Sequence, residues 1–322
     1  MTFKATWEKT HTRVHLSDSK IKQMLATYYS ENNIKNFHII EGGCANINVL
    51  VTLRNSDSPI ILRVYCREGE SAYKEQKISK ILKGKLPTPE FYYIAEAFGY
   101  VFAIIEYLPG ISLRDFLLRD NYRDVGQVMF KVGKALGVIY SIKFPHSGFF
   151  NKNLKVMENA TADGLIDLCL DCLQDTKVQS VISAENIDQI QTMFKVYKDF
   201  LPAGIERNLV HGDFDPANIL VIDRDGGIEV SGILDWEFSF SGSTLYDIAN
   251  MLRYSHHMPR KYQDSFLEGL RSAGYLLPIS WQITIKLLNI VSLLDCLKRS
   301  DLDNIPNQIT DIKKLIQHKL LI

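Results

Sequence analysis

Apolar residues recur with two different periods along the chain, and the change of period divides it. Between residues 47 and 53 the apolar side chains occupy every second position, which is typical of a half-buried strand. Four further apolar runs predict strands, at 37–40, 59–65, 91–95 and 101–106. Beyond residue 106 most apolar residues recur at spacings of three and four, which predicts helices. The pattern therefore predicts a β-rich part over residues 1–105 and a mainly helical part over residues 106–322.

The predicted helices follow from the same spacing. One is expected to start at Ser17, a residue type suited to an N-cap, and to end near residue 33. A second, over residues 70–83, lies between the strands of the β-rich part. The helical part is predicted to contain segments at 112–118, 122–142, 162–174, 184–200, 244–254, 260–273 and 281–299, and a last one from 309. One stretch of this part, residues 209–237, does not have a helical pattern.

That stretch predicts a hairpin with polar clusters at its open end. Apolar residues over 219–222 and 228–234 predict two short strands, joined by a glycine-rich turn at 225–227. Asp213 and Asn218 precede the first strand, and Asp235 follows the second. If the two strands pair, these three side chains lie at the same end of the hairpin and within reach of one another.

These residue types suit phosphoryl transfer. That reaction needs a carboxylate near the attacking hydroxyl and hard oxygen ligands for magnesium beside the phosphates. The spacing Asp213-x-x-x-x-Asn218, with His211 before it and Asp235 after an apolar strand, matches the protein-kinase order of catalytic Asp, metal Asn and second metal Asp. The alternative is a surface turn, since Asp, Asn, Gly and Pro are all common turn residues.

In its sequence motifs HGDFDPANIL and ILDWE, the chain resembles the aminoglycoside phosphotransferase and choline kinase-like superfamily, relatives of protein kinases. The resemblance runs from about residue 37 to residue 301. It implies an α+β, protein-kinase-like fold with two lobes: a small antiparallel sheet with one helix, and a larger, mainly helical lobe. It also implies Asp213 as the catalytic base, Asn218 and Asp235 as magnesium ligands, and His211 as a support for the loop.

The resemblance further implies that ATP binds with Mg²⁺ between the lobes. Gly43 and Asn46 lie in a Gly-Gly turn between two predicted strands, where backbone amides can cover phosphates. An ordinary hairpin turn is the alternative, because the kinase pattern G-x-G-x-x-G is absent. At the predicted hinge, backbone groups of Glu106 and Leu108 would hold adenine. Backbone contacts leave GTP possible as well.

A basic residue on the third predicted strand is expected to contact the phosphates and to pair with a Glu on the next helix. In this sequence that position is Arg63, and Glu75 is the best candidate for its partner. Arg keeps the charge of the more usual Lys but presents a planar fork of donors. An exposed strand Arg and a solvated helix Glu remain the alternative, partly because other Glu residues are near.

Composition excludes some classes of protein. The 322 residues contain 37 Lys and Arg against 37 Asp and Glu, so the chain lacks the basic excess of nonspecific nucleic-acid binding. Residues 1–16 lack the apolar core of a signal peptide, and no run approaches the roughly 18 apolar residues of a membrane span. We therefore expect a cytoplasmic protein that binds neither nucleic acid nor membrane. The sequence leaves monomer and homodimer open.

The cysteines do not predict a disulfide framework or a metal site. There are five, an odd number in a long chain. Cys169 and Cys172 form a C-x-x-C, but within a helical pattern and without a second pair to complete a zinc site. We interpret them as small apolar helix residues.

The acceptor is expected to be a hydroxyl of a small molecule. Asp163, Asp167, Asp171 and Asp175 recur every fourth residue of one predicted helix, where like charges repel. An acidic wall for an aminoglycoside-like or other cationic acceptor, as in an antibiotic kinase, would explain them. A basic residue from elsewhere in the fold, or a solvated helix face, would do so too. Two other functions stay open: a kinase for a metabolite such as choline, homoserine or a sugar, and a non-catalytic nucleotide sensor.

Overall fold

The computed structural model describes residues 2–8, 16–40, 46–119, 124–158, 161–224 and 227–321. The helices within these residues are α1 (Asp18–Ala26), α2 (Ser71–Leu82), α3 (Leu113–Leu117), α4 (Val125–Ser141), α5 (Ala162–Gln174), α6 (Thr176–Val181), α7 (Ala184–Tyr197), α8 (Leu245–Met251), α9 (Arg260–Ser272), α10 (Trp281–Arg299) and α11 (Pro306–Leu320). The strands are β1 (Ile34–Ile40), β2 (Asn46–Leu53), β3 (Ile60–Tyr65), β4 (Phe91–Ala97), β5 (Tyr100–Glu106), β6 (Ile111–Ser112), β7 (Gly148–Phe150), β8 (Val156–Glu158), β9 (Asn208–Val210), β10 (Ile219–Arg224), β11 (Gly227–Ile233) and β12 (Phe240–Gly242).

Five of the predicted strands form one antiparallel sheet in the order β1-β2-β3-β5-β4. The central strand β3 is buried along its whole length, because both of its faces are covered. Leu62 and Val64 pack with Met24 and Leu25 of α1. The alternate residues of β3 pack with Ala72 of α2. The sheet therefore carries two helices, as the apolar spacing over residues 17–33 and 70–83 predicted, whereas the resemblance implied a single helix in the small lobe.

The remaining helices pack around a larger core. The closest helix pair is α4 and α9, which cross at glycines. A Cβ atom on Gly133 would lie 2.0 Å from the carbonyl oxygen of Phe266, and one on Gly269 would lie 2.0 Å from that of Phe130. The two backbones approach to this distance because no side chain separates them. Around this pair, α5, α8, α10 and α11 add buried Leu and Ile residues to the same core.

The predicted hairpin is present as β10 and β11, with Ile219 paired to Ile233 at its open end. The two-residue strand β6 joins the edge of β10. A third sheet, with four strands in the order β8-β7-β12-β9, was not expected from the sequence. Each of its strands is three residues long, too short for a periodicity to mark it, and β12 pairs with β7 and β9 across wide sequence separations. The pairing of β12 with β9 brings residue 240 beside residue 210, next to the polar loop.

Residues 2–8 pack against the helical part and not against the large sheet. Phe3 is 1% exposed and lies against the rings of Tyr254 and Tyr262, at 5.2 and 6.3 Å between centroids. The indole nitrogen of Trp7 donates to Asp311 on α11 at 2.7 Å. This segment therefore departs from the expected division into 1–105 and 106–322, and the boundary near residue 105 stays a prediction.

Several predicted helix ends differ from the structure, and two of them have a clear local cause. Helix α1 ends at Ala26 and not near residue 33, because the N–H and hydroxyl of Thr27 both turn back to the carbonyl of Met24. Helix α11 begins at Pro306, three residues earlier than expected, since proline fits the first turn, where no N–H is needed. Helix α6 was not expected as a separate element.

None of the described helices is both long enough and apolar enough to cross a membrane.

Candidate active site

The loop between β9 and β10 is held from beneath by a buried carboxylate. Asp247 on α8 accepts hydrogen bonds from the backbone N–H groups of His211 (2.8 Å) and Gly212 (3.0 Å). Burial raises the pKa of Asp247 to about 7, although these two donors oppose the shift. Gly212 has φ +84°, and a Cβ there would lie 2.3 Å from the carbonyl oxygen of Phe238. The glycine of the HGD motif is therefore required by the close approach of two loops.

His211 links this loop to the end of β11. Its Nδ1 accepts from the N–H of Asp213 (3.2 Å), so the ring proton lies on Nε2, which donates to the carbonyl of Leu234 (2.9 Å). The side chain is fully buried, and burial lowers the pKa of His211. The imidazole is thus a neutral structural bridge, in agreement with its expected role as a support.

The predicted catalytic and metal-binding residues converge at the open end of the hairpin. The amide nitrogen of Asn218 donates to Oδ2 of Asp213 at 2.9 Å, which leaves its amide oxygen for other ligands. The carbonyl of Asn218 accepts from the N–H of Leu234 at 2.9 Å, directly before Asp235. Asp235 itself is left-handed (φ 68°, ψ 61°), an unfavourable conformation for a residue other than glycine. Such strain often occurs at functional sites.

Arg63 joins the large sheet to Asp235. Its Nη2 lies 3.2 Å from Oε1 of Glu75 on α2 and 2.5 Å from Oδ1 of Asp235. The attraction of these two carboxylates outweighs the effect of burial, so the pKa of Arg63 is raised well above its ordinary value. Burial raises the pKa of Glu75 to about 7, with Asp235 adding to the shift and Arg63 opposing it. The ion pair between Arg63 and Glu75 therefore exists in the structure, and it extends to a third group.

A group of carboxylates offers ligand atoms for a cation. Glu75, Asp235 and Glu237 present oxygens within 4.8 Å of one another, a cluster found within the described ranges of the chain. Burial, with the charge of Asp235 second, raises the pKa of Glu237. Carboxylate and amide oxygens are the ligands that Mg²⁺ prefers, so this donor set, together with the free amide oxygen of Asn218, fits magnesium.

A cavity of about 340 Å³ lies between the large sheet and the hairpin. Five of the predicted nucleotide- and metal-binding residues line it: Arg63, Glu75, Glu106, Leu108 and Asp235. The N–H of Glu106 donates to the carbonyl of Glu90 (2.8 Å), so a purine can use only the carbonyl of that residue. The Nε of Arg63 is buried and has no hydrogen-bond partner within the described part of the chain.

Two predicted nucleotide-binding residues are not placed at this cavity. Gly43 lies outside the described residues, as does the rest of the Gly-Gly turn. Asn46 is described, but its side chain donates to Glu237 Oε2 at 3.0 Å and accepts from the N–H of Cys66. It thus connects β2 to the Asp-Trp-Glu turn across the cleft. A phosphate-binding role for these two residues stays a prediction.

A second cavity, of about 410 Å³, is lined by Asp213. Apolar and aromatic side chains of α5, α8, α10 and β12 form most of its wall. Its charged residues are of both signs: Lys4, Asp213, Arg253, Asp295 and Arg299. Within this wall Asp295 and Arg299 pair with each other at 2.7 Å.

The four regularly spaced Asp residues, three on α5 and one directly after it, do not line this cavity. Asp163 and Asp167 are exposed, Asp171 pairs with Lys298 of α10, and Asp175 caps α6 through the N–H of Lys177. Lys298 is therefore a basic residue from elsewhere in the fold that compensates the charge of one of the four, Asp171. Leu165 and Leu168, on the same helix, are the residues that face the cavity.

The cysteines of α5 are core residues. Cys169 and Cys172 are free and buried, and burial raises their thiol pKa values to about 12 and about 11. Their expected role as small apolar residues agrees with this environment. Neither belongs to the carboxylate cluster that could hold a cation.

Lys4 and Arg253 are the site residues that sequence reasoning missed. Lys4 lies near the start of the chain, 209 positions before Asp213, and no motif marks it. Arg253 is 4% exposed and donates to the neutral side chains of Asn250, Asn289 and Ser292. The only signal for Arg253 in the sequence is that a charged residue stands within an apolar helical pattern. This signal does not specify its partners.

Comparisons with known proteins give the family and the fold of the chain. The model of the phosphotransferase enzyme family (APH) matches residues 36–280. No protein with a curated description matches the sequence significantly. Among solved structures, a thermostable mutant of aminoglycoside phosphotransferase APH(4)-Ia, in a ternary complex with ADP and hygromycin B, superposes with a TM-score of 0.71 at 17% identity. The match covers 93% of this chain and 97% of that one.

Two further structures have the same fold. A microcompartment-associated aminopropanol kinase matches with a TM-score of 0.67 at 14% identity, over 94% of this chain and 95% of that one. Choline kinase LicA from Streptococcus pneumoniae matches with a TM-score of 0.64 at 13% identity, over 94% and 98%. At these identities the structures establish the fold alone, and the expected two-lobed, kinase-like α+β architecture is confirmed. Because the family model spans most of the sequence, the chain belongs to the phosphotransferase enzyme family.

Proposed function

We propose that this phosphotransferase is a small-molecule kinase, which moves the γ-phosphate of ATP, with Mg²⁺, to a hydroxyl group of its acceptor. The observation that carries the proposal is the convergence of Asp213, Asn218 and Asp235 at one end of the hairpin. The alternative considered from the sequence was a surface turn. A surface turn does not explain why Arg63, on a strand of the large sheet, contacts Asp235.

The nucleotide is proposed to bind in the cavity between the sheet and the hairpin. The carbonyl of Glu106 and the N–H of Leu108 would meet the purine edge, which allows ATP and does not exclude GTP. The free Nε of Arg63 supports a phosphate contact, since a buried donor without a partner is costly. Asn218 and Asp235 would hold Mg²⁺, which, when bound, neutralises the charge that develops on the phosphates.

Asp213 is proposed to act on the acceptor. Its Oδ2 accepts from the amide of Asn218, and Oδ1, which lies 3.5 Å from the ammonium of Lys4, would accept the hydroxyl proton as the new O–P bond forms. The bond from the γ-phosphorus to the bridging oxygen breaks in the same transfer, and ADP leaves. The acceptor would lie in the 410 Å³ cavity beside Asp213, on the side away from the nucleotide.

The acceptor is proposed to be a small hydroxyl compound with an apolar part. The four regularly spaced Asp residues over 163–175, which favoured a polycationic acceptor, do not line the cavity. The wall is largely apolar, and its charges are mixed. These observations favour a metabolite kinase over an aminoglycoside kinase. The solved structures of the same fold include both kinds, with hygromycin B in one and choline kinase and aminopropanol kinase among the others.

A thermal-shift titration with Mg-ATP, repeated with EDTA, tests nucleotide binding first. ATP consumption is then measured over matched acceptors: aminoglycosides, amino alcohols, hydroxy amino acids and sugars. Metal-dependent stabilisation and turnover with one class support the proposal. Stabilisation without turnover on any acceptor would favour the nucleotide sensor, and no stabilisation by Mg-ATP would contradict the proposal. The cytoplasmic location and the oligomeric state stay predictions from the sequence.

A further inference from the structure

The ammonium group of Lys4 lies between two carboxylates of the catalytic loop. Its Nζ is 2.7 Å from Oδ2 of Asp215 and 3.5 Å from Oδ1 of Asp213. The side chain of Lys4 is 18% exposed and that of Asp215 is 4% exposed, so little water screens the pair. Burial lowers the pKa of Lys4, but the attraction of Asp213 and Asp215 outweighs it, and the net shift is upward. Lys4 is therefore charged at neutral pH.

The segment that carries Lys4 is anchored on both sides of it. Phe3 is buried between two tyrosine rings, as described above. On the other side, Glu8 accepts from the N–H groups of Asn307 and Gln308 at the start of α11, at 2.7 and 3.1 Å. Thr2 adds a hydrogen bond to Asp311 at 2.8 Å. A segment tied at both ends cannot move Lys4 away from the loop without breaking buried contacts.

Backbone strain also marks this position. Phe3 and Lys4 have φ values of 43° and 62°, a left-handed region that costs a residue other than glycine of the order of 1–3 kcal/mol. Two such residues in succession persist only where the surrounding contacts hold them. The contacts of Phe3 and Lys4 therefore outweigh the strain, and those of Lys4 are made to the loop that carries Asp213.

Lys4 completes the support of Asp213. Asn218 holds Oδ2 of that carboxylate, and Lys4 faces Oδ1. Asp215 needs the same cation, because its nearly buried carboxylate otherwise accepts, among the described residues, from the N–H of Ala217 alone, at 2.8 Å. Without Lys4, the two carboxylates would lose the cation between them, and repulsion would turn Asp213, which is partly exposed, away from the acceptor.

We propose that Lys4 is a positioning residue of the phosphoryl transfer, which holds the carboxylates of Asp213 and Asp215 so that Asp213 faces the acceptor hydroxyl. The inference rests on the function proposed above. It extends the active site to residues 2–8, since Lys4 and Trp7 both line the acceptor cavity. The segment thus acts as a wall of the acceptor site in addition to its packing role.

The first test compares Lys4→Met and Lys4→Arg with a matched control, Lys195→Met, at an exposed residue of α7. The substrate is Mg-ATP, with water and with the panel of acceptors. For Lys4→Met we expect kcat to fall about tenfold or more, since misplacing a reacting group by 1 Å is enough for such losses. KM for Mg-ATP should change less than about twofold, and Lys4→Arg should recover part of kcat, because it keeps the charge.

The outcomes separate the two proposals. If the parent turns over ATP and Lys4→Met matches it, or exceeds it, the positioning role is overturned while the kinase function stands. If the parent shows no turnover with water or any acceptor, the function fails and the inference with it. A fall in kcat together with an equal rise in KM for Mg-ATP would place the effect of Lys4 on nucleotide binding, and it would overturn the positioning role.

A second test does not depend on activity. Acetic anhydride labels free lysine amines, and mass spectrometry of the peptides gives the rate at each residue. In the parent we expect Lys4 to react more slowly than Lys195 by about tenfold or more, because its ammonium is paired and largely buried. In Asp215→Asn the rate at Lys4 should rise towards that of Lys195. Equal rates at the two residues in the parent would overturn the inference.

Discussion

The guanidinium of Arg63 lies 2.5 Å from Oδ1 of Asp235, and this contact joins the large sheet to the loop that follows the hairpin. The same nitrogen lies 3.2 Å from Glu75, so one cation serves a strand, a helix and a loop. Arg63 therefore helps to set the relative position of these three elements, together with Asn46 and Lys74, which donate hydrogen bonds to Glu237. A nucleotide in the cavity would bind beside the same charge.

Replacing Arg63 should weaken nucleotide binding. In Arg63→Met the carboxylates of Glu75 and Asp235 lose their cation, and we expect KM for Mg-ATP to rise about tenfold or more, as for a lost charge-assisted hydrogen bond. KM for Mg-ATP in Arg63→Lys should lie between the values for Arg63→Met and the parent, because Lys keeps the charge but lacks the planar set of guanidinium donors. Steady-state kinetics measure both. The exposed Arg54 provides the control, and an Arg54→Met variant with the same rise would contradict the assignment.

Asp213 and Asp235 should differ in the step that they affect. For Asp213→Asn we expect kcat to fall by about 10² or more, since a positioned base contributes that much, with Mg-ATP binding retained. For Asp235→Asn we expect weaker Mg-ATP binding, because the side chain would be a metal ligand. Calorimetric titration with Mg-ATP and turnover assays separate the two effects. Parent-like turnover by both variants would remove the proposed roles.

Asp247 should make the stability of the fold depend on pH. Its pKa is raised from 3.8 to about 7 by burial, so the folded state binds its proton more tightly than the unfolded state does. Its contribution to stability is then full below pH 4 and is lost as the pH rises towards 7. Relative to Asp247→Asn, which has no such proton, the parent should lose roughly 1–3 kcal/mol between pH 5 and pH 7.5.

Urea unfolding of both proteins at the two pH values measures this difference. We expect the Asn variant to be less stable at every pH, since it offers the loop one acceptor oxygen in place of two, so the comparison uses the change with pH and not the absolute value. A gap between the two proteins that stays constant, or widens as the pH rises, would contradict the raised pKa.

The crossing of α4 and α9 should tolerate no added methyl group. Gly133→Ala would place a Cβ 2.0 Å from the Phe266 carbonyl oxygen, so the helices must separate, at a cost of about 1–3 kcal/mol. Gly164→Ala is the matched control within a helix. Its nearest neighbour would lie at 3.4 Å, and the better helix propensity of Ala should leave stability unchanged or raise it by up to about 1 kcal/mol. Thermal unfolding of both variants measures the difference.

The sequence by itself determined the elements whose signals are local. Alternating residues over 47–53 identified β2, and helical spacing gave α5 and α10 with the ends that the structure has. The HGD motif and the Asp-Trp-Glu turn could be placed at one end of a hairpin, because register and turn chemistry depend on neighbouring residues. Arg63 and Glu75 could be paired from their order along the chain, with the family resemblance as guide.

Only the tertiary structure decided which distant residues share the site. Lys4 lies beside Asp213 because Phe3 packs against Tyr254 and Glu8 accepts a hydrogen bond at the start of α11. Nothing in the sequence of residues 2–8 predicts these contacts. How the helix α5 packs decided whether the regularly spaced Asp residues line the acceptor cavity. The sequence could not decide this, because leucines lie between the charges and more than one face of the helix could pack against the core. Long-range pairing of this kind follows from the burial of whole faces against one another, which a single segment of sequence does not specify.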